Sequence, residues 1–318
     1  MISFRFHVVS ITAVFLAIAI GIVVGSTYVD RAIVENLENR IDTVSSNLDD
    51  RKQANDELER NLDDVRSYVD ASADFVVTSR LAEVTVLLLA MRGVDEDAAE
   101  QIALLARRSG GIVPGVVWVE PKWALGSDED RTELAAAIGA DDDDPVADLQ
   151  EEAWSAIVRE LTTAPTPGTT GGTAVPVLPL ADLQASGFLS VDALDDASAT
   201  MTGLRGTSPR VILVTGADQA EELATIVPLM VAAPAAGGLR TVVADVYVEE
   251  PDGPGRGAEA SASVPEELRE VVAIIDHADQ VEGRVAAVIA VAAAGDGLVG
   301  HFGYGAGSNG VLPGWTPP

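Results

Sequence analysis

The sequence predicts an α/β protein: an N-terminal transmembrane helix and a long coiled-coil helix, followed by a mostly parallel-sheet α/β domain. Three observations carry this. No residue from Val8 to Val29 is charged, apolar residues recur every 3.5 residues from Val34 to Val69, and after Val77 short β-branched runs alternate with helix-length segments. The expected organisation is a short cytoplasmic tail over 1–7, a transmembrane helix over 8–29 and a parallel coiled coil over 31–72. An α/β domain over 80–300 follows, with flexible insertions near 141–176 and 250–265, and then a Gly/Pro-rich tail over 301–318.

The segment 8–29 rises about 33 Å at ~1.5 Å per residue, enough to cross a hydrocarbon core of ~30 Å. It is apolar on every face, unlike the one-sided helix of a soluble domain. Arg5, with Val24 and Ser26 as small residues before a cleavage point, leaves a cleaved signal peptide open as the alternative. The run is long for such a peptide, and the sequence after Thr27 continues as a helix. Arg5 and the amino terminus compete with Arg31 and Arg40 over orientation, and the short tail favours export of the body. Ala13, Ala17, Gly21 and Gly25 repeat at four-residue spacing, which lets two membrane helices approach closely. Small residues are also common throughout this composition, so both readings stay open.

With Val34 as a heptad a position, the further a positions are Ile41, Leu48, Asn55, Leu62 and Val69; the d positions are Leu37, Val44, Arg51, Leu58 and Val65. Nine of these eleven are apolar, and the residues between them are mostly charged or polar. That is the stripe of a coiled-coil seam. A lone Asn at an a position usually fixes register and a two-stranded state, so Asn55 predicts a homodimer. The two packing faces conflict. Gly25 precedes Val34 by nine residues, which at about 100° per residue is half a turn out of phase. Either residues 26–33 break or twist the helix, or the membrane seam is Leu16, Ile20 and Val23.

In the body, Val84–Ala90 reads as a strand, Glu96–Arg108 as a helix ended by Gly110–Gly111, and Ile112–Val119 as the next strand. The plan recurs: a strand at Val211–Thr215, a helix from Gln219 to about Val231, and a strand at Thr241–Val246. A further strand, Val271–Ile275, precedes a helix through Val285–Ala294, and an isolated helix is expected at Asp148–Leu161. Repeated strand–helix–strand units imply a parallel sheet with helices on its faces.

Composition narrows the function. A net charge of −30 sets the body against nucleic acid and anionic membrane surfaces. The chain has no cysteine, which excludes disulfides, Cys-ligated zinc, iron–sulfur clusters and thiol catalysis. Ligands of open α/β sheets sit at the carboxyl ends of strands. Those positions offer Asp95, Asp218 and the cluster Asp276, His277 and Asp279. Asp218 with Glu221, and Asp279 with Glu282, have capping-box spacing, so helix capping is the expected role of these aspartates. Asp276, His277 and Asp279 are weak metal candidates, His277 being a possible ligand or pH-sensitive group, although one His beside carboxylates is no metal signature.

Gly305, Gly307 and Gly310 match GxGxxG in form, but no helix can follow in the few Pro-containing residues left, so a turn-rich tail is expected there. Neither lysine, Lys52 or Lys122, follows a glycine, which removes a Walker A loop, and Ser308 lies in AGSNG rather than GxSxG. No enzyme chemistry is expected.

The opening MISFRFHVVSITAVFLAIAIGIVVGS, the coiled coil after it and GHFGYGAGSNGVLP near the C-terminus together resemble the mycobacterial copper transport (MctB) family. Relatives of that family include a partner of a septum-associated cell-separation protein in actinobacteria. The resemblance implies a cell-membrane protein, its bulk on the non-cytoplasmic side, acting in copper efflux or homeostasis, with copper as the transported or sensed ion. The residues themselves carry no copper motif. Cu(I) favours thiolates and thioethers, while Met1, Met91, Met201 and Met230 are scattered and His7, His277 and His301 form no sequence cluster. The second reading is a non-enzymatic dimeric scaffold that holds an α/β domain off the membrane for a partner in cell separation.

Overall fold

A computed structural model describes residues 4–163, 179–194, 201–216, 226–231, 239–247, 266–305 and 307–314, with the side chains of 26–36, 201 and 202 outside that description. Asp218, Glu221 and the insertion expected over 250–265 lie outside the described residues, as does the part of the first insertion from 164 onward. The chain divides into two compact units, Met1–Arg66 and Ser67–Pro318.

A single α-helix, α1, runs without interruption from Phe4 to Val77. The break considered over 26–33 does not occur, for a reason visible in the sequence: there is no glycine or proline between Ser26 and Val77. Its stretch Phe4–Gly25, 22 residues long, is apolar enough to cross a membrane, and none of its residues is buried within the protein. The apolar heptad positions from Leu37 to Val65 are also uncovered, from 53% exposed at Leu37 and Leu62 to 63% at Ile41. Asn55 is exposed beside them, and Val69 is half-buried. The helix stops where Ser79 takes a left-handed conformation at φ 60°.

The second unit is built on seven strands: β1 (Val86–Met91), β2 (Gly115–Val119), β3 (Leu189–Ala193), β4 (Arg210–Thr215), β5 (Thr241–Asp245), β6 (Ala273–Ile275) and β7 (Gly300–Phe302). They form one sheet in the order β3-β2-β1-β4-β5-β6-β7. All neighbours are parallel except β2 and β3, where Val117 faces Val191 in antiparallel register. Strands buried on both faces read as unbroken apolar runs rather than alternating ones, and β1 (VLLLAM) is buried at every position. The antiparallel β3, LSVDA, is buried only at Leu189 and turns its remaining residues partly outward, as an edge strand should.

Five further helices complete the unit: α2 (Glu96–Arg108), α3 (Asp128–Ile138), α4 (Val146–Thr162), α5 (Pro179–Ala185) and α6 (Val281–Ala293). Residues 226–231 are helical as well. α2 and α6 pack against each other, α2 over β1 and β2 and α6 over β4, β5 and β6. α3, α4 and α5 form a second cluster beside β3, centred on Trp123, whose ring lies 4.9 Å from Trp154 and 5.9 Å from Phe188. The last turn of α1 enters this unit through Ala73 and Val77, both buried, and Arg108 of α2 holds Asp74 at 3.1 Å.

The expectation for the C-terminal segment is corrected. Residues 301–318 are not simply a tail, because His301 and Phe302 form part of β7 and pair with Ile274 and Ile275. The acidic residues 141–144 lie in the short connection from α3 to α4, and the helix expected at Asp148–Leu161 is present as α4.

Candidate functional site

The strand order reverses between β1 and β4, and that point of an open α/β sheet is where ligands usually sit. Its described carboxyl-end side chains are already engaged. Arg92, just after β1, donates from Nη2 to Glu120 Oε1 at 2.8 Å and from Nε to Glu120 Oε2 at 3.2 Å, a two-pronged pair across the ends of β1 and β2. It also donates from Nη1 to Glu96 at 2.8 Å and from Nη2 to Ser190 Oγ at 3.0 Å, and its guanidinium lies 4.3 Å from the centre of the Trp118 ring. The Ser190 hydroxyl donates to Glu120 as well. The bond from Arg92 holds the Glu120 carboxyl below its ordinary pKa, and Glu120 raises that of Arg92. This network ties β1, β2 and β3 together and has no free cation to offer.

A different cluster lies at the carboxyl end of β6. Asp276 is 1% exposed, and four donors converge on its carboxylate. Oδ1 accepts from His277 Nδ1 at 3.0 Å and from the Tyr304 amide at 2.9 Å. Oδ2 accepts from His301 Nε2 at 2.7 Å and from the Gly305 amide at 2.7 Å. Burial pushes the carboxyl pKa up, but the bonds from His277, His301 and the two amides outweigh it and hold Asp276 well below the usual carboxylate range. An ionised carboxylate only accepts, so the proton of each ring sits on the nitrogen facing Asp276. His277 Nε2 and His301 Nδ1 are then the ring nitrogens not bonded to Asp276. Both are buried, and neither has a hydrogen-bond partner among the described residues.

The glycines of the HFGYG stretch follow from this convergence. Gly303 has φ 141°, and a Cβ built there would overlap the Asp276 carboxylate. A Cβ on Gly305 would lie 2.8 Å from Asp276 Oδ2 and 2.7 Å from His301 Cε1. The backbone therefore approaches closely enough to present two amides to the carboxylate. Tyr304 between them packs its ring at a 56° tilt against His277, with centroids 4.7 Å apart, and donates its hydroxyl to Glu282 at 3.1 Å.

Comparison with known proteins places this arrangement in a family. The profile of the family described as "Copper transport outer membrane protein, MctB" matches residues 1–313. The chain belongs to the MctB family. Proteins called "Copper transporter MctB" in Mycobacterium bovis and in Mycobacterium tuberculosis are each 24% identical to it over 323 residues, covering 98% of this chain and 99% of theirs. The matched region takes in the apolar helix, the heptad segment and the whole Asp276 cluster.

Within this MctB-family chain the residues singled out by sequence are partly brought together. Asp276 and His277 share one site, but Asp279 is directed elsewhere, accepting from the Tyr247 amide at 3.4 Å beyond β5. The capping role expected of Asp279 is overturned: α6 opens with Gln280 in the N-cap place and no side-chain cap bond there. Asp95, by contrast, caps α2 as expected, accepting from Asp97 and Ala98. Gly21 and Gly25 face open space. His301, Tyr304 and Gly305 are the partners that sequence reasoning missed. The usable signal was the alternation of glycine around a histidine and a tyrosine in GHFGYG. Asp141, Asp142 and Asp143 also bring carboxylate oxygens within 4.8 Å of one another, in an exposed loop of like charges.

Proposed function

We propose that this protein is a single-pass cell-membrane protein that carries its α/β body on the non-cytoplasmic side and acts in copper handling. The observation that carries the reading is the family match over residues 1–313, which spans the apolar segment Phe4–Gly25 and the body alike. Both named relatives are copper transporters, and their alignment with this chain runs nearly end to end.

Copper enters as cargo or signal rather than as a resident cofactor. With no cysteine in the chain, and with Met91 and Met230 buried in the core, thiolate and clustered thioether ligation are not offered. Imidazole suits copper, and His277 Nε2 and His301 Nδ1 supply nitrogen lone pairs whose rings are oriented by a shared carboxylate. A single helix of spanning length among the described residues makes no pore by itself, so the role is in efflux or homeostasis with other copies or other proteins.

The test is a deletion strain whose cellular copper content and copper sensitivity are measured beside its septation. Raised copper and raised sensitivity, both restored by the full chain, are expected. Normal copper handling with cells left in chains would overturn this reading in favour of a cell-separation scaffold.

A further inference from the structure

The uninterrupted α1 resolves the conflict between its two packing faces. Extending the heptads from Val34 back along an unbroken helix puts Thr27 and Ile20 at a, and Asp30, Val23 and Leu16 at d, so the register carries through a short polar stretch at Thr27 and Asp30 between the two apolar parts. Gly21 falls at b and Gly25 at f, on the far side of the helix. We propose that two copies of this chain pair in parallel along one continuous seam, through Leu16, Ile20 and Val23 in the membrane and from Leu37 to Val65 beyond it, leaving Gly21 and Gly25 outside the seam.

Seven apolar seam side chains from Leu37 to Val65 are each more than half exposed in the single chain. Covering a Val, Leu or Ile side chain removes roughly 60–120 Å² from water. Two chains therefore bury on the order of 1,000 Å² through these side chains alone, near the lower edge of a stable interface before the flanking residues are added. Tyr68 and Phe75, 75% and 86% exposed, both fall at g positions and extend the flank of the seam toward the end of α1.

A second copy is the occupant that the polar positions suit. In a parallel pair each g residue meets the e residue of the next heptad across the seam. In this chain those pairs are Arg40 with Ser45, Asn47 with Lys52, Ala54 with Glu59 and Asn61 with Arg66, and none sets like charges against each other. Asn55 meets its own counterpart, the arrangement that selects two strands in fixed register. Arg51, one turn earlier at d, has a stem long enough to carry its charge out of the seam. The direction of pairing rests on the membrane reading proposed above: two helices anchored in one bilayer by the same end cannot run antiparallel.

Because the chain lacks cysteine, single substitutions report the seam without background. In the full chain reconstituted in lipid bilayers, Leu37→Cys and Val65→Cys should each give a covalent dimer of twice the chain mass on mild oxidation. Ser46→Cys and Gln53→Cys, at f positions, should stay monomeric. Same-residue cross-linking at both ends of the seam reports a parallel pair whether or not the chain is anchored. Extraction of the protein from membranes at alkaline pH tests the anchor separately. Ile20→Cys should cross-link and Gly25→Cys should not. Cross-linking at f positions as efficient as at a and d, or none at either seam end, overturns the pairing. Cross-linking at Gly25 in place of Ile20 overturns the continuity of the seam.

Discussion

His301 Nε2 lies 2.7 Å from Asp276 Oδ2, and that bond joins the last strand of the sheet to the carboxyl end of its neighbour. β7 is three residues long and offers few ladder bonds, so its place depends on what its side chains and the following turn can hold. Asp276 supplies four acceptor contacts, to His277, His301, Tyr304 and Gly305. One buried carboxylate thereby stitches a segment that sequence reasoning left as a tail.

Replacing that carboxylate should be costly. Asp276→Asn keeps the shape but turns an acceptor-only group into one whose amide faces donors. Breaking a buried charged network in this way costs about 3–5 kcal/mol. Urea denaturation followed by circular dichroism should show the loss at neutral pH. Because the folded carboxyl has a depressed pKa, its stabilisation is complete above the unfolded value of about 3.9 and is lost as pH falls through the folded value. The gap between wild type and Asp276→Asn should therefore narrow as the solution is acidified below about pH 4. A gap that stays constant on acidification would contradict the charge argument.

Gly303→Ala tests the cradle from the other side. The added methyl must enter the space of the Asp276 carboxylate at a φ of 141°. Backbone strain alone costs of order 1–3 kcal/mol, and displacement of the carboxylate from its amide donors adds to it. Thermal unfolding should show a drop of several degrees, with amide hydrogen exchange rising first at residues 300–305. Gly307→Ala is the control: a Cβ there meets nothing within 4 Å, so only the backbone term, at φ 80°, remains.

The sequence carried the fold where a local rule was sufficient. Asp95 and Gly110 bracket α2 because capping and chain reversal are short-range chemistry, and its predicted limits match the helix at both ends. β1, β4 and β5 were legible because a strand buried on both faces is a continuous apolar run. β3 was not, since an edge strand with Ser190 and Asp192 lacks that signature, and α3 was not, since its alanines mark no clear apolar face. The Asp276 site failed for a different reason. Its own residue was singled out, but three of its four donors come from residues 25 to 29 positions later, and no local pattern pairs them. The spacing of Asp279 and Glu282 then suggested a cap, where tertiary structure sends Asp279 to Tyr247 and Glu282 to Tyr304.

Arg92 should resist conservative replacement. Lysine keeps the charge but loses the two-pronged contact with Glu120 and the stacking on Trp118. The pair is partly exposed, so Arg92→Lys should cost only about 1 kcal/mol in urea denaturation. Arg92→Lys, Glu120→Gln and the double variant should give a coupling of similar size. Additive losses would show that the two side chains act separately.

Copper binding by the body would fall to the two buried ring nitrogens that Asp276 leaves unbonded. If Cu(II) binds through His277 Nε2 or His301 Nδ1, the full chain in lipid nanodiscs should show nitrogen coupling in its paramagnetic resonance spectrum at one equivalent of metal. His277→Gln and His301→Gln should each lower the affinity by at least about tenfold, because losing even a partner that only orients a ligand costs 10–100-fold. Asp141→Asn with Asp142→Asn should leave binding unchanged, since exposed carboxylates suit hard cations rather than copper. Fold loss is separated from ligand loss by circular dichroism on the same samples: a variant that keeps its spectrum and its thermal midpoint but not its copper has lost a ligand. The opposite result is equally informative. Folded histidine variants with undiminished affinity would take copper away from these imidazoles and leave the Asp276 cluster as a purely structural clasp for β7.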